Sequence, residues 1–285
     1  MPVIAVVNRK GGSGKSTFAA HVAAWCARQG HAVMLGDLDR QQSSRTWLRQ
    51  RPPELPAISP WTIDQRNVLR VPTGITHVVL DTPGGLQGFD LARVVMFADA
   101  IVIPVSPSLF DREAAAATHE ELAALPRVAG GRCRVAGIGM RVDSRTRAGD
   151  ALREWAQARN LPWLGTLRET QAYVRCLERG LTLFDLPAPQ ADIDLAQWGP
   201  VIDWLRPLLQ PPPAADAPPV RATTPSRLAP SLAPRLQPAQ ESLAPGARLS
   251  SVLSGPRTLQ PVVRSQPVAR PSGLLFEERG LLLKR

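Results

Sequence analysis

The sequence has 285 residues, of which 44% are hydrophobic, so it can form one large domain or two small ones with a sizeable core. It contains no run of about 18 apolar residues and no secretory signal pattern, which excludes a membrane-spanning helix and leads us to expect a cytoplasmic protein. The net charge of +10 favours a polyanionic partner, either nucleic acid or an acidic membrane surface.

Short apolar runs alternate with longer segments of helical character through the first 209 residues. Such runs predict strands that are buried on both faces of a parallel sheet. The strands predicted in this way are residues 3–7, 32–35, 77–80, 100–105 and 135–140. The helices predicted between and after them are residues 16–29, 43–51, 111–125, 146–159, 169–179 and 192–209. We expect Pro200 to lie inside the last helix and to kink it. The order predicts an α/β domain, doubly wound around a mostly parallel sheet.

The composition changes after residue 209. Residues 211–285 hold 14 of the 29 prolines and one aromatic residue, Phe276. Such a segment cannot bury enough apolar surface to offset the entropy of ordering it, so we expect residues 210–285 to form a disordered tail. This tail carries ten basic and four acidic residues, a net +6 of the chain's +10. The predicted domain, residues 1–209, carries the remaining +4.

The end of the tail, residues 273–285, is more apolar than the rest. Leucines and Phe276 flank Glu277, Glu278 and Arg279. Two interpretations stay open: a short helix that docks on a partner or a membrane, and an apolar end without a role. Glu277 and Glu278 argue against an anionic membrane.

Three cysteines, Cys26, Cys133 and Cys176, lie far apart in the sequence. Their odd number and wide spacing predict neither a disulfide framework nor a zinc site. We therefore expect three unpaired, reduced thiols.

Lysine use indicates the first functional site. Of 34 basic residues only three are lysines, and two of them, Lys10 and Lys15, fall within one six-residue stretch. The surrounding segment reads KGGSGKST and lies between the first predicted strand and the first predicted helix. Its glycines let the backbone turn tightly and point N–H groups inward, and the following helix adds the positive end of its dipole. We therefore predict a phosphate-binding loop at residues 10–17.

Nucleotide contacts are expected from the whole loop. Lys15 is expected to reach the β- and γ-phosphates, the Ser16 hydroxyl to bind Mg²⁺, and Thr17 to support the phosphate chain. Further contacts are expected from Gly11, Gly12, Ser13 and Gly14.

The loop departs from the common phosphate-binding pattern, because Arg9 stands where that pattern has its first glycine. The form present, KGGxGK[ST], resembles the deviant Walker A motif of the ParA/MinD family of P-loop ATPases. The resemblance implies that Lys10 reaches across a homodimer to the nucleotide of the partner subunit. It also implies that the protein binds ATP and Mg²⁺ and hydrolyses ATP slowly. Since the loop starts at residue 10, the resemblance is to the ParA-like partitioning branch without an N-terminal helix-turn-helix.

Two acidic motifs follow predicted strands. DLD at residues 37–39 resembles the family's switch I, which implies that Asp39 orients the attacking water; we expect Asp37 to hold the loop or the metal's water shell. DTPGG at residues 81–85 resembles the Walker B and switch II segment, which implies that Asp81 holds Mg²⁺ through a water. Because ligands bind at the carboxyl edge of an open parallel sheet, we expect these motifs to meet the phosphate-binding loop there.

The resemblance extends through most of the predicted domain. Residues 139–146, GMRVDSRT, resemble the segment that borders the base, so nucleotide contacts are expected from Met140 and Arg141. Met140 stands where many relatives carry Asn. Further similar segments are residues 102–108, 168–186 and 194–205.

The family resemblance also implies partners. It implies non-specific DNA bound through its phosphates, association with the nucleoid, and a ParB-like or other partner that stimulates hydrolysis. The arginines that we consider for DNA are residues of a kind that is more often solvated or ion-paired at the surface. They are Arg141, Arg145, Arg147, Arg168, Arg175 and Arg179.

Three functions stay open at this point. The first is an ATPase that positions a chromosome, plasmid or large complex over DNA. The second is a MinD-like switch on a membrane surface, anchored through residues 273–285. The third is an iron–sulfur reductase or cluster carrier of the same fold, which needs paired cysteines that this sequence does not offer. A binding module without catalysis is disfavoured because the lysine and aspartate motifs are intact.

Overall fold

The computed structural model describes residues 1–62 and 71–209, in which strands and helices alternate. The strands are β1 (Val3–Val6), β2 (Val33–Asp37), β3 (Ile58–Thr62), β4 (His77–Asp81), β5 (Ala100–Val105), β6 (Arg134–Val142) and β7 (Trp163–Arg168). The helices are α1 (Lys15–Arg28), α2 (Ser43–Gln50), α3 (Gly88–Phe97), α4 (Leu109–Ala124), α5 (Pro126–Ala129), α6 (Ala148–Gln157), α7 (Gln171–Glu178), α8 (Ala188–Ala196) and α9 (Gly199–Leu209), with a 3₁₀ turn at Leu183–Asp185.

The described residues form a seven-stranded sheet in the order β3-β2-β4-β1-β5-β6-β7, and every neighbouring pair is parallel. Successive side chains of β1 point to opposite faces, so Ile4 and Val6 enter one core while Val3 and Ala5 enter the other. Helices α1, α2, α7, α8 and α9 cover the first face, and α3, α4 and α6 cover the second. The central strands are mostly apolar, as expected of strands that are covered on both faces, and the predicted doubly wound α/β fold is confirmed.

The predicted strands and the first five predicted helices end within two residues of the observed ones. The prediction of one helix over residues 192–209 is wrong. The chain forms α8 and α9 instead, and the break between them places Trp198, which is buried, against the ring of Phe18 at 5.0 Å. Pro200 lies in the first turn of α9, where its missing N–H costs no helical hydrogen bond, so it does not kink the helix. The proline inside α9 is Pro207.

Sequence periodicity missed β3, α3 and β7. Strands β3 and β7 lie at the two edges of the sheet, where a strand has one hydrogen-bonded neighbour. An edge position tolerates Pro60 in β3 and Gly165, which has a φ of +105°, in β7. These residues interrupt the apolar pattern that identified the central strands.

The register of the central strands brings three chain segments to one edge. Asp81 of β4 pairs with Val6 of β1 on one side and with Asp37 of β2 on the other. The loops that follow β1, β2 and β4 therefore start side by side. This is the edge at which the three motifs were expected to meet.

The predicted tail, residues 210–285, and its apolar end, residues 273–285, lie outside the described residues. Within the described part of the chain, no helix combines the length and the apolar character needed to cross a lipid bilayer.

Candidate functional site

Glycines shape the loop between β1 and α1. Gly12 and Gly14 have φ angles of +75° and +95°, in the left-handed region that strains residues with a Cβ. Gly14 is the N-cap of α1 and offers no side chain to the first turn. The N–H groups of that turn are therefore available to an anion, and the helix dipole adds to the attraction.

Lys15 is the first residue of α1 and is buried. Its Nζ donates a hydrogen bond of 2.9 Å to the backbone oxygen of Lys10, across the base of the loop. Burial lowers the pKa of Lys15, while the nearby carboxylates of Asp81 and Asp39 act to raise it. A phosphate oxygen would give this buried ammonium a charged partner in place of a neutral carbonyl.

Asp81 ends β4 with a fully buried carboxylate. Its Oδ2 accepts a hydrogen bond of 2.6 Å from the Ser44 hydroxyl, whereas Oδ1 is buried and has no hydrogen-bond partner among the described residues. Burial raises the pKa of Asp81 to about 6, and hydrogen bonds from Ser44 and Ser16 act to lower it.

These residues fit a magnesium ion. The unpartnered Oδ1 of Asp81 can accept from a metal-bound water, and the Ser16 hydroxyl lies within hydrogen-bond reach of the same carboxylate. No group of three or more His, Cys, Asp or Glu side chains suited to a metal occurs in residues 1–62 and 71–209. Mg²⁺ uses one or two protein ligands and completes its shell with water and substrate phosphates.

Asp37 and Asp39 have different surroundings. Both carboxylate oxygens of Asp37 accept backbone N–H groups, from Asp39 at 3.0 Å and from Arg45 at 3.1 Å, so this side chain holds the loop to the start of α2. Burial raises the pKa of Asp37. Asp39 accepts the N–H of Gln41 at 3.0 Å and is partly exposed.

A cleft of about 790 Å³ opens beside the loop. Most of the predicted residues line it, namely Gly11, Gly12, Gly14, Lys15, Ser16, Thr17, Asp39, Met140 and Arg141. The residues predicted for the nucleotide, the metal or catalysis that do not reach its wall are Lys10, Ser13, Asp37 and Asp81. Ser13, Asp37 and Asp81 are buried behind the wall, whereas Lys10 points elsewhere.

Lys10 is directed towards the start of α4. Its Nζ lies 3.3 Å from Oδ2 of Asp111 and 5.8 Å from the centre of the Phe110 ring. Its backbone N–H is held by Oδ1 of Asn8 at 2.9 Å. The two lysines of the motif therefore diverge: Lys15 faces the cleft, and Lys10 lies outside it.

The far end of the cleft is formed by the ends of β6 and β7 and by α7. Met140 packs beneath the loop, because a Cβ added to Gly14 would lie 2.8 Å from its Cε. Arg141 has a φ of +52°, which is uncommon for a residue with a side chain. Sequence analysis did not assign the rest of this far wall to the cleft: it missed β7, and it considered Arg168 for DNA. The residues concerned are Leu167, Arg168, Glu169, Thr170, Gln171, Tyr173, Val174 and Leu177.

The arginines considered for DNA differ in their exposure and in their partners. Arg168 lies at the cleft and is held by Asp194 through two hydrogen bonds, of 2.5 Å from Nε and 3.1 Å from Nη2. Arg145 is exposed and bound to Asp143, and it lowers the pKa of that carboxyl to about 2. The other exposed members of the set are Arg141, Arg147, Arg175 and Arg179.

Comparison with known proteins gives one family match. The sequence profile described as "CobQ/CobB/MinD/ParA nucleotide binding domain" matches residues 4–183, which is more than half of the chain. Among curated proteins, the "Maintenance of carboxysome distribution protein A" of Gloeobacter kilaueensis is 38% identical over 111 residues. The match covers 38% of this chain and 51% of that protein, so this chain spans about half the length of that relative.

Solved structures share the fold. A complex of Cyanothece McdA with ATP superposes with a TM-score of 0.56 at 15% identity, covering 70% of this chain and 96% of that one. A putative plasmid partition protein of Borrelia burgdorferi bound to AMPPNP gives 0.54 at 15% identity, covering 71% and 99%. At this level of identity the likeness concerns the fold alone.

Proposed function

The chain belongs to the CobQ/CobB/MinD/ParA family of nucleotide-binding domains, and from this premise we propose that it is an ATP-hydrolysing switch. Two copies close into a homodimer in the ATP-bound state, and hydrolysis separates them. The switch positions a chromosome, a plasmid or another large cargo over non-specific DNA. A ParB-like or other partner accelerates the slow intrinsic hydrolysis.

One observation carries this proposal: groups suited to phosphoryl transfer meet at one edge of the sheet. Lys15 and the glycine loop line the cleft, Ser16 stands next to the buried carboxylate of Asp81, and Asp39 faces the same space. Phosphoryl transfer needs charge neutralisation, a cation site and a group that orients the nucleophile. Each of these roles has a candidate among the described residues.

Magnesium would be held by the Ser16 hydroxyl directly and by Asp81 through a water, and it would neutralise charge on the phosphate oxygens. Asp37 keeps the intervening loop in place, since both of its oxygens are taken by backbone N–H groups.

The remaining residues act on the phosphates and the water. The ammonium of Lys15 binds the β- and γ-phosphates, and the loop N–H groups cradle them. Asp39 accepts a hydrogen bond from the attacking water and aims its oxygen at the γ-phosphorus. Lys10 lies outside its own cleft, which supports a role for its ammonium at the nucleotide of the other subunit.

The names of similar proteins support the kind of cargo. One is a carboxysome distribution protein and another a putative plasmid partition protein, and both names describe placement of a large object. The net charge of +10 and the exposed Arg147, Arg175 and Arg179 support contact with DNA phosphates.

The alternatives have less support. A membrane anchor would be residues 273–285, which lie outside the described residues. A cluster carrier would need cysteines at a dimer face, whereas Cys26, Cys133 and Cys176 are free and buried within the described chain.

The test is nucleotide-dependent dimerisation of the full chain, measured by sedimentation velocity with Mg²⁺ and ATP, ADP or no nucleotide. We expect dimers with Mg²⁺ and ATP, and monomers with ADP or without nucleotide. Lys15→Ala should abolish ATP binding, whereas Lys284→Ala, which removes the same charge elsewhere, should leave it unchanged. Co-sedimentation with DNA or with anionic liposomes then identifies the surface. A wild-type chain that binds no adenine nucleotide, or that stays monomeric with each of them, would contradict the proposal.

A further inference from the structure

Lys10 and Asp111 form an ion pair within one subunit, between residues 101 positions apart in the sequence. Nζ of Lys10 lies 3.3 Å from Oδ2 of Asp111, and the two side chains are 37% and 11% exposed. Neither residue lines the nucleotide cleft of its own subunit. The pair therefore stands apart from the groups that bind phosphate in the same chain.

We propose that Asp111 is a positioning residue, which holds the Lys10 ammonium on its own subunit until the phosphates of a partner's ATP replace it. This inference rests on the proposed function, in which Lys10 serves the other subunit. Asp111 then opposes dimer formation in the absence of ATP, and the contact has to open in both subunits when the dimer closes.

The carboxylate of Asp111 is fixed in place. Ser108 is the N-cap of α4, and its Oγ accepts the backbone N–H of Asp111 at 3.2 Å. The hydroxyl of Ser108 in turn donates to Oδ2 of Asp111, the atom that faces Lys10. The acceptor therefore stays where it is when Lys10 leaves.

Lys10, by contrast, can move its ammonium without moving its backbone. Its N–H is anchored by Asn8, while four methylene groups separate the ammonium from Cα. The neighbouring Phe110 ring is 74% exposed, so this corner of the molecule is open to a second copy. A rotation of the side chain suffices to exchange one anionic partner for another.

The charge of the two competing partners decides whether Lys10 leaves Asp111 for a triphosphate. A partly exposed ion pair is weak, and it shifts an equilibrium by about two- to fivefold. A triphosphate presents several anionic oxygens and so competes well with one carboxylate. Because two Lys10–Asp111 pairs open per dimer, removing both should strengthen the dimer about four- to 25-fold.

The experiment compares wild type and Asp111→Asn, which keeps the shape of the side chain and removes its charge. Sedimentation velocity with Mg²⁺ and AMPPNP gives the dimer dissociation constant, which we expect to fall about four- to 25-fold in the variant. Glu120→Gln is the matched control, since it removes one negative charge from an exposed position on the same helix. If the loss of one negative charge on α4 were the cause, Glu120→Gln would reproduce the effect and overturn the proposal.

A second comparison ties the effect to Lys10. In a Lys10→Ala background, Asp111→Asn should no longer strengthen the dimer, and an undiminished effect there would contradict the proposal. In the nucleotide-free wild type, acylation of Lys10 by acetic anhydride, measured by mass spectrometry against Lys284, should be several-fold slower than in Asp111→Asn. Equal rates would show that the pair does not hold Lys10.

The outcomes separate this inference from the proposed function. A wild-type chain that dimerises with AMPPNP while Asp111→Asn dimerises no better leaves the switch intact and refutes the role of Asp111. A wild-type chain that never dimerises refutes the switch and, with it, any opposition by Asp111.

Discussion

The hydroxyl of Ser44 donates a hydrogen bond of 2.6 Å to Oδ2 of Asp81. Ser44 lies in the first turn of α2, just after the loop that carries Asp39, and Asp81 ends β4. Both side chains are buried. The bond joins the segment that we assign to the attacking water with the carboxylate that we assign to magnesium, so a displacement of either one acts on the other.

We expect Ser44→Ala to lower the free energy of unfolding by about 1–3 kcal/mol, because it leaves a buried carboxylate oxygen without its donor. Ser43→Ala is the control on the same helix, since Ser43 is exposed and should cost less than about 0.5 kcal/mol. Urea denaturation of both variants measures the difference. Equal losses would show that the contact with Asp81 contributes nothing.

Asp39 should matter for hydrolysis and not for binding. Its side chain lines the cleft and accepts a single backbone N–H in the described structure, that of Gln41, so it keeps oxygen lone pairs for a water. We expect Asp39→Ala to lower kcat about 10²- to 10⁴-fold while ATP affinity stays near that of wild type. Single-turnover hydrolysis and equilibrium binding measure the two quantities separately, with Asp192→Ala, at an exposed position on α8, as the control. Hydrolysis at the wild-type rate in Asp39→Ala would remove Asp39 from the mechanism.

A buried histidine, His21, lies on helix α1, which begins at Lys15. His21 stacks on Trp198 at 5.3 Å; its Nδ1 lies 2.8 Å from the backbone oxygen of Thr17, and its Nε2 accepts the N–H of Leu183 at 3.2 Å. These contacts suit a neutral ring with the proton on Nδ1. Burial lowers the pKa of His21 to about 4.

The buried His21 predicts a loss of stability in acid. Between pH 6.5 and about 4 the unfolded chain binds a proton at this ring and the folded chain does not. The stabilisation of the fold by the neutral His21 ring is therefore fully present above pH 6.5, and about 3 kcal/mol of it is lost as the pH falls to about 4. The His21→Gln variant has no titrating ring at this position. Its free energy of unfolding should therefore fall by about 3 kcal/mol less than that of wild type between pH 6.5 and about 4. An NMR titration that places the pKa of His21 near 6.5 would contradict this account.

The sequence allowed the phosphate end of the site to be predicted because its residues are close together in the chain or end apolar strands. Lys15 and Ser16 lie in one short motif, and Asp37 and Asp81 end strands that are buried on both faces. Parallel pairing then places the strand ends at one edge, as the register of Asp37 with Asp81 shows.

Other parts of the site depend on contacts that no local pattern records. Asp111 meets Lys10 only because α4 follows a strand next to β1, and it carries no motif of its own. The wall around Thr170 was missed together with β7, whose glycine and edge position weaken the strand pattern. Trp198 was placed inside a continuous helix, since helical periodicity does not show that a bulky ring will fill a gap against Phe18.

The arginines considered for DNA can be separated by their partners. Arg168 is bound in two places by Asp194, whose carboxylate is buried, so Arg168→Ala should leave that carboxylate without its donor and cost about 1–3 kcal/mol of stability. Arg175 and Arg179 are exposed, at α7 and directly after it, and have no ion pair within the described residues. They are the better candidates for phosphate contacts.

We expect the double variant Arg175→Ala/Arg179→Ala to weaken DNA binding without lowering the free energy of unfolding. If each arginine contacts one phosphate, the slope of log K against log salt concentration should become shallower by about 1.8 per subunit, or about 3.6 for a bound dimer, since each contact releases about 0.9 of a counterion. Fluorescence anisotropy with labelled duplex DNA, Mg²⁺ and AMPPNP at several salt concentrations measures this slope. Arg153→Ala is the control, because Arg153 is exposed but paired with Asp150 on α6. An unchanged slope in the double variant would place the DNA-binding surface elsewhere, since lost phosphate contacts cannot leave counterion release unaltered.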